Sequence, residues 1–341
     1  MNPNDLEPLD PHDALNLYKK DRKREVSDAT LKSHGYRLKN FVEWCDSEGI
    51  DNLNDVTGRD IQRFKIFRQD QGIAPATLKS QMDTLRVFIR FCESINGCID
   101  GLAESINSPS LAGEDAKGTD IVPTQKAESI LSHLDKFDYA SIHHALFRLL
   151  WASGMRMGAA MSIDLQHIHK RSEYVELRHN PETDTPLKNK KSGERDVSLD
   201  NRTIRVLTDF IDENRIETTD DHGRHAVFTS RHGRLTRNTV RNYVYRITRP
   251  CTYNGGECPH DRDPDECDGM NNMTPYKCPG STAPHSIRRG AITHYLSEDV
   301  PGAVVSDRMD VSEDVIDEHY DERDSRTRME QRREYVDQVD L

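Results

Sequence analysis

Two segments near the start of the chain share one helical pattern of hydrophobic positions. Both begin with ATLKS, at Ala29 and Ala76, and in both the apolar residues recur at the spacing of a single helix face. The spacing predicts two similar amphipathic helices, with Thr30 and Thr77 placed to cap them. These helices are expected to pack in the same domain.

A third helix is predicted between the two repeated segments. It would start at Thr57 and turn Ile61, Phe64 and either Ile66 or Phe67 inward. The N-terminal part of the chain is therefore predicted to be a bundle of paired helices.

A stretch of small, polar, Pro and Gly residues interrupts the periodic pattern after this bundle. We expect a linker at 113–122, between an N-terminal domain at 1–112 and a second domain at 123–341. The second domain is mainly helical by its periodicity. Its EYVELRH and ERDVSL segments alternate apolar and polar residues, which predicts an antiparallel strand pair. The predicted fold class is mainly α with a small antiparallel β-sheet.

Charge is distributed unevenly along the chain. The formal net charge is −12, and residues 297–341 hold 15 acids and 6 arginines. By contrast, residues 224–249 hold seven arginines and no acid. This stretch indicates phosphate binding, and the residues expected to contact DNA are Arg231, Arg234, Arg237, Arg241 and Arg246.

Composition also suggests an environment for the protein. Lysine is scarce, with 15 lysines against 32 arginines, while acids are abundant. This balance is typical of a protein solvated in concentrated salt, and a mesophilic protein with an acidic tail is the alternative. The sequence contains neither a long apolar run nor a signal-like N-terminus, so a cytoplasmic protein without a membrane partner is expected.

Four short segments carry side chains suited to attack on a phosphodiester without a metal. They are SGMRMG with Arg156, LKNKKSGERDVSL with Lys190, PHSIRRG with His285 and Arg288, and DEHYDERD with Tyr320. Two arginines can bind the non-bridging oxygens and a lysine can protonate the leaving oxygen. A histidine can accept the phenol proton while the tyrosine attacks.

Each of these residues also has a purely structural interpretation. Tyr320 shares a helical face with Val311, Val315 and Ile316, as a core residue would. Lys190 could be a solvated turn residue, and His285 could cap a helix. The ordered coincidence of all the segments favours the catalytic interpretation.

In their order and spacing the four segments resemble the tyrosine recombinase, or phage integrase, family. Over most of its length the chain is similar to the family's SAM-like core-binding domain followed by its catalytic domain, the DNA breaking-rejoining enzyme fold. The resemblance implies that Arg156 and Arg288 bind the scissile phosphate and that His285 accepts the proton of Tyr320. The tyrosine would then form a 3′-phosphotyrosyl bond. Lys190 matches the family's hairpin lysine, with Lys188 as second choice.

The resemblance implies a site-specific recombinase or integrase, similar to a haloarchaeal or haloviral one. Its partner would be double-stranded DNA carrying specific sites, on which four protomers assemble, and catalysis would need no cofactor. Two alternatives remain: a type IB topoisomerase-like enzyme, and a non-catalytic sequence-specific DNA-binding accessory protein.

The chain departs from the family pattern at two places. Ala159 stands where the family usually has a glutamate. More seriously, the family's second histidine or tryptophan falls on Asp310 or Val311, neither of which donates to a phosphate at neutral pH. That contact is absent, left to water, or supplied by His294 or His319.

The acids that flank Tyr320 cannot activate it, because they disfavour ionisation of a phenol. We expect Asp317, Asp321 and Glu322 to form a solvating shell that discourages attack until DNA docks.

Four of the seven cysteines fall in one stretch at 251–278 that has little apolar content. Their spacing is C-x6-C-x8-C-x10-C. A structural Zn²⁺ held by Cys251, Cys258, Cys267 and Cys278, or by three of them and His260, would stabilise such an insert. Free thiols or disulfides are the alternative.

Overall fold

The computed structural model describes residues 6–111, 120–321, 323 and 325–336. Contacts divide the chain into two compact units, Met1–Thr119 and Asp120–Leu341. The division falls inside the stretch predicted as a linker, most of which lies outside the described residues.

The first unit is helical throughout its regular elements, as the periodicity predicts. Its described α-helices are α1 (Pro11–Arg22), α2 (Asp28–Glu48), α3 (Gly58–Asp70) and α4 (Pro75–Ser94). The repeated segments form α2 and α4, which pack against each other. Their matching apolar positions are buried: Leu38, Phe41 and Cys45 in α2, and Leu85, Phe88 and Cys92 in α4.

The predicted caps of the repeated helices are wrong. Ser27 starts α2, because its hydroxyl accepts the Thr30 main-chain N–H. In α4 a proline at the first position fixes the helical φ, so Thr77 lies inside the helix and Ala74 is the N-cap. Local cap chemistry one turn earlier in the chain decides both starts.

The third helix begins as predicted at Thr57. The Thr57 hydroxyl accepts from the Asp60 N–H, and the Asp60 carboxylate accepts from the Thr57 N–H, a capping box. Ile61 and Phe64 are buried, but Ile66 and Phe67 are 46% and 39% exposed. The inward face of α3 is therefore narrower than predicted.

The second unit is mainly helical. Its described α-helices before the insert are α5 (Thr124–Phe137), α6 (Ile142–Ser153), α7 (Met157–Ser162), α8 (Asn201–Asp209) and α9 (Arg237–Ile247). The others are α10 (Pro250–Tyr253), α11 (Pro284–Ser297), α12 (Gly302–Met309), α13 (Glu313–His319) and α14 (Ser325–Val336). Helix α6 lies at the centre and packs against α5, α8, α9 and α11.

The predicted strand pair is confirmed. Strands β2 (Tyr174–Leu177) and β3 (Arg195–Ser198) are antiparallel, with Val175 opposite Val197. Strand β1 (Ile168–His169) adds to the other edge of β2. A second small sheet joins β4 (Thr229–Ser230) to β5 (Gly233–Arg234).

Helix α11 approaches the start of its unit very closely. A Cβ on Gly290 would lie 2.0 Å from the Val122 carbonyl oxygen, so only glycine fits this contact. The main chain of Val122 also donates to the Ser286 carbonyl oxygen. These contacts fix the helix that carries His285 and Arg288.

The C-terminal helices form a smaller apolar cluster of their own with α11. Its buried members are Ile292, Leu296, Val305, Met309, Val311, Ile316 and Tyr320. Among the helices described, none is long and apolar enough to cross a membrane.

Candidate active site

Tyr320 and His285 meet in the second unit. Tyr320 follows the last turn of α13, and His285 lies in the first turn of α11. The Tyr320 hydroxyl is 3.2 Å from His285 Nε2, and the ring is 7% exposed. The Thr293 hydroxyl donates to the Tyr320 carbonyl oxygen at 2.7 Å, which holds the tyrosine against α11. Tyr320 is thus both a member of the apolar cluster and a partner of the histidine.

His285 is held in its neutral form. Although the residue as a whole is exposed, partial desolvation of its ring lowers its pKa, and the guanidinium groups of Arg288, Arg289 and Arg156 lower it further. A neutral imidazole can accept a proton at Nε2, the atom that faces the phenol. His285 does not cap α11, because Ala283 is the N-cap residue.

Arg288 lies one turn further along α11 and is 1% exposed. Its Nη1 donates to the main-chain carbonyls of Gly154 at 2.8 Å and Met309 at 2.6 Å. Its guanidinium carbon lies 5.7 Å from the centre of the Tyr320 ring. Burial, and to a smaller extent Arg156, lowers the pKa of Arg288 to about 10. A cation so deeply desolvated favours an anion beside it.

Arg156 is placed by a turn between α6 and α7. Gly154 ends α6 in a left-handed conformation, and Arg156 is the N-cap residue of α7. Its Nη1 donates to the Asp310 carbonyl oxygen at 2.8 Å and to Asp310 Oδ2 at 2.6 Å. Both arginines predicted to bind phosphate therefore contact residue 310, and Arg288 also lies beside Tyr320.

Asp310 occupies the place where the family's second histidine or tryptophan was expected. It ends α12 with φ 55° and ψ 61°, a left-handed conformation that aspartate tolerates. Its carboxylate also accepts from Asn189 Nδ2 at 2.8 Å. Val311 is buried in the apolar cluster. The position thus contains an acceptor, where a donor was expected.

His294 does not fill this gap. Its ring stacks on Trp151 at 5.5 Å, and its Nδ1 lies 3.3 Å from the Thr124 hydroxyl. The side chain of His319 lies outside the described part of the structure. Ala159 is buried in the main core, where it replaces the usual glutamate with apolar packing.

Lys190 begins the short 3₁₀ turn Lys190–Gly193 between β2 and β3, with an exposed side chain and φ 53°. The preceding residue, Asn189, contacts Asp310, so this turn lies beside the site. Arg195 at the start of β3 also faces it, with Nη1 4.0 Å from Asp310 Oδ2. Sequence reasoning missed Asn189 and Arg195, although both stand in the hairpin segment selected for its lysine.

The arginine-rich stretch is divided between internal and surface roles. Arg234 donates to Asp164 at 2.5 Å and to Asp220 at 2.8 Å, and its side chain is 11% exposed. Both acids that neutralise it lie outside residues 224–249, so the composition of that stretch does not reveal the pairing. The arginines Arg231, Arg237 and Arg241 are exposed, and Arg246 is partly exposed above the Tyr243 ring.

The cysteine insert contains turns, the short helix α10 and two 3₁₀ turns. Its four cysteines line one small cavity together with Arg249 and Arg262. None of the cysteines in the chain forms a described disulfide. Across the described residues, no group of three or more His, Cys, Asp or Glu side chains is arranged to hold a metal ion.

Asp321 was expected to form part of an acidic shell around Tyr320. Its side chain is instead buried and ion-paired with Arg323 at 2.8 Å and Arg328 at 3.3 Å. Asp317 is exposed, and Glu322 lies outside the described residues. At least one of the three acids is therefore neutralised locally and does not act as free negative charge.

Comparisons with known proteins agree with this arrangement. The profile of the Phage integrase family matches residues 121–325, and that of the Phage integrase, N-terminal SAM-like domain matches residues 17–94. The chain is a tyrosine recombinase, a class of DNA strand-transfer enzymes. It belongs to the phage integrase family.

Individual proteins show the same likeness. The Tyrosine recombinase XerD of Oceanobacillus iheyensis is 24% identical over 291 residues, 83% of this chain and 86% of that protein. A lambda integrase tetramer bound to a Holliday junction has a similar fold, with a TM-score of 0.61, 13% identity, and coverage of 95% of this chain and 77% of that one. The N-terminal domain of a phage integrase/site-specific recombinase from Haloarcula marismortui is 32% identical, with a TM-score of 0.30 and coverage of 30% of this chain and 99% of that one.

Proposed function

We propose that this protein is a site-specific DNA recombinase whose nucleophile is Tyr320. The observation that carries the proposal is the 3.2 Å contact between the Tyr320 hydroxyl and His285 Nε2 beside two buried or half-buried arginines. A phenol needs such a base, because only about one in a thousand is ionised at neutral pH at an ordinary pKa.

In the proposed step the Tyr320 oxygen attacks phosphorus as its proton passes to His285. The bond from phosphorus to the 5′ oxygen breaks, and Lys190 supplies the proton that makes the free 5′ hydroxyl. The 3′ end stays on the tyrosine as a phosphotyrosyl ester. Rejoining reverses each transfer, so no external energy source or redox partner is required.

Arg156 and Arg288 would stabilise the charge that builds on the non-bridging oxygens. A preorganised donor of this kind contributes about 3 kcal/mol to transition-state stabilisation. Exchange between two duplexes breaks four strands, so four protomers on two DNA sites are proposed. The tetrameric lambda integrase on a Holliday junction supports that number.

The test is a search for covalent adducts between the full-length protein and a pool of nicked, randomised duplexes. Wild-type protein should leave a denaturant-resistant 3′ adduct on a definable sequence, and Tyr320→Phe should leave none. Tyr295→Phe is the matched control, because that hydroxyl donates to the Ala152 carbonyl oxygen and accepts from Arg308 in the same unit. Adducts that persist in Tyr320→Phe would exclude the mechanism.

The same experiment separates the alternatives. Binding without adducts would favour an accessory protein, and adducts without sequence preference would favour a type IB topoisomerase. The SAM-like domain match at residues 17–94 supports the recombinase.

The proposed DNA surface uses the exposed arginines Arg231, Arg237 and Arg241 and the partly exposed Arg246. Arg234 is left out because its partners are internal. Arg237 lies against the first turn of α7, since a Cβ on Gly158 would be 3.6 Å from its Nη2. We also propose that the protein acts in the cytoplasm of a halophilic host. The scarcity of lysine supports the halophilic origin.

We further propose that the insert binds a structural Zn²⁺ through Cys251, Cys258, Cys267 and Cys278. All four line one cavity, and in the insert the apolar core is almost absent. Arg249 also lines this cavity, and its Nη1 donates to the Gly269 carbonyl oxygen at 2.7 Å. Its positive charge would favour the thiolate form of the cysteines. The thiols must move closer together to bind, because their present arrangement does not hold a metal.

Purified protein should contain one zinc per chain by elemental analysis, released by a thiol-specific mercurial. Cys267→Ser should lower that content well below one, because three thiolates hold zinc less tightly than four. The control is Cys98→Ser, a buried cysteine of the first unit that should retain the metal. Wild-type protein free of zinc after expression in zinc-supplemented medium would contradict the proposal.

A further inference from the structure

The carboxylate of Asp310 is bound as an anion in a ring of donors. Arg156 Nη1 lies 2.6 Å from Oδ2 and Asn189 Nδ2 lies 2.8 Å from Oδ1. Arg195 Nη1 is 4.0 Å from Oδ2. These three side chains come from the α6–α7 turn, the hairpin turn and β3, so the ring is assembled from separate parts of the fold.

The ring carries more positive charge than Asp310 can balance. Burial lowers the pKa of both Arg195 and Arg288, and the nearby charge of Arg156 lowers both further. The Asp310 carboxylate lies within 4.0 Å of both Arg156 and Arg195, Asp307 also attracts Arg195, and Arg288 reaches the Asp310 carbonyl oxygen. Three guanidinium groups gathered at residue 310 are suited to bind a phosphodiester.

We propose that Arg195, together with Asn189, supplies the phosphate contact that the family's second histidine or tryptophan would make, and that Asp310 occupies this pocket until the scissile phosphate displaces it. The inference rests on the proposed recombinase function. It extends the pair Arg156 and Arg288 to a donor set that also includes the hairpin.

In this proposal Asp310 leaves the pocket by rotation of its side chain. It lies at the end of α12, and its side chain can leave the ring by rotating while its carbonyl oxygen stays bound to Arg156. An open groove next to it is lined by Asn189, Ser192, Arg195 and Ser312, and also by the acids Glu194 and Asp307. The carbonyl contact keeps the arginine aligned after the carboxylate has gone.

Arg195 also has structural contacts that any test must separate from catalysis. Its Nε donates to the Arg308 carbonyl oxygen at 2.8 Å, and its Nη1 donates to the Gly193 carbonyl oxygen at 2.9 Å. These bonds join β3 to the end of α12. A loss of activity alone would therefore not identify a phosphate contact.

The decisive comparison uses two nicked duplexes that differ only at the scissile group, one with a phosphate and one with an uncharged methylphosphonate. On phosphate, Arg195→Ala should slow adduct formation by about 100-fold, the usual effect of one lost donor. On methylphosphonate the rate of Arg195→Ala should differ from that of wild type by less than about threefold, because this group lacks the negative charge that the arginine would stabilise. Arg195→Lys should restore part of the rate on phosphate.

Arg308→Ala is the matched control. This arginine donates to the carbonyl oxygens of Ser198 and Ala152 in the same region without reaching Asp310's carboxylate. It should show the same defect, large or small, on both substrates. An equal defect of Arg195→Ala on both substrates would assign Arg195 a structural role and overturn the inference.

Asp310→Asn provides a second, independent readout. The amide keeps the shape but removes the charge bound to Arg156, so adduct formation on phosphate should rise several-fold in rate. An unchanged or lower rate would overturn the role given to Asp310. If wild-type protein forms no adduct on phosphate, the proposed function itself fails, a result distinct from both of these.

Discussion

The proton acceptor of the proposed reaction is defined by its surroundings. His285 is an exposed residue whose ring is partly desolvated, and it lies near three arginines; both effects lower its pKa. An ordinary histidine is half protonated near pH 6.5, so His285 stays neutral at that pH and becomes charged only in more acidic solution. Protonation would remove the acceptor for the Tyr320 proton.

We predict that the second-order rate of adduct formation is constant above about pH 6.5 and declines below it, with a midpoint lower than 6.5. The lowered pKa also means that the unfolded chain takes up this proton more readily than the folded one. The free energy of unfolding therefore falls as the pH drops below about 6.5. Circular dichroism at each pH separates this loss from the effect on the rate.

His285→Ala should react more slowly and show no decline of this kind. A midpoint above 6.5 in the wild type, or an identical decline in the variant, would assign the pH dependence to another group. Because the rate is measured with DNA below saturation, the midpoint belongs to the free protein.

Individual site residues could be predicted where the side-chain type and the motif around it indicate one chemical role. The nucleophile, its base and the two arginines were selected from the chemistry and order of their segments, and the family resemblance implied their roles. The structure brings these four side chains together; their catalytic roles stay predictions. Arg195 and Asn189 were missed because nothing local distinguishes them from other polar residues of a turn. Their significance comes from Asp310, more than a hundred residues away in sequence.

At the scale of elements, the sequence predicted helices and strands best where one face of the element packs against a core. The repeat in α2 and α4 and the alternation in β2 and β3 each describe a surface that must face a core, and both were predicted correctly. Helix starts were predicted less well. Thr30 and Thr77 have the right chemistry for a cap, but Ser27 and Pro75 begin their helices first.

Charge patterns were misleading for a related reason. The stretch from Arg224 to Arg249 contains no acid, yet Arg224 and Arg234 both bind Asp164. Such a pair is invisible in a local window, because it depends on which helices and loops meet. A run of like charges therefore forms a charged surface only where its side chains are also exposed, as those of Arg237 and Arg241 are.

At the scale of the whole molecule, a protein of net charge −12 must bind a polyanion. Its acids are concentrated at 297–341, and the exposed arginines of α9 leave a local positive surface in the second unit. Long-range repulsion between protein and DNA is screened within about 10 Å at 0.1 M salt. Close contacts made by individual arginines should therefore determine how affinity changes with salt.

The combined change Arg237→Gln and Arg241→Gln tests this expectation. Each phosphate contact contributes about 0.9 to the slope of log affinity against log salt, so the slope should fall in magnitude by about 1.8. Arg202→Gln is the control, since that arginine is exposed but paired with Asp135, and it should leave the slope unchanged. Titrations of labelled duplex over a range of potassium chloride concentrations give the slopes directly. Equal slopes for wild type, the double variant and the control would mean that the DNA binds elsewhere. A lower affinity of the double variant at constant slope would mean that α9 supports the fold and does not contact phosphates.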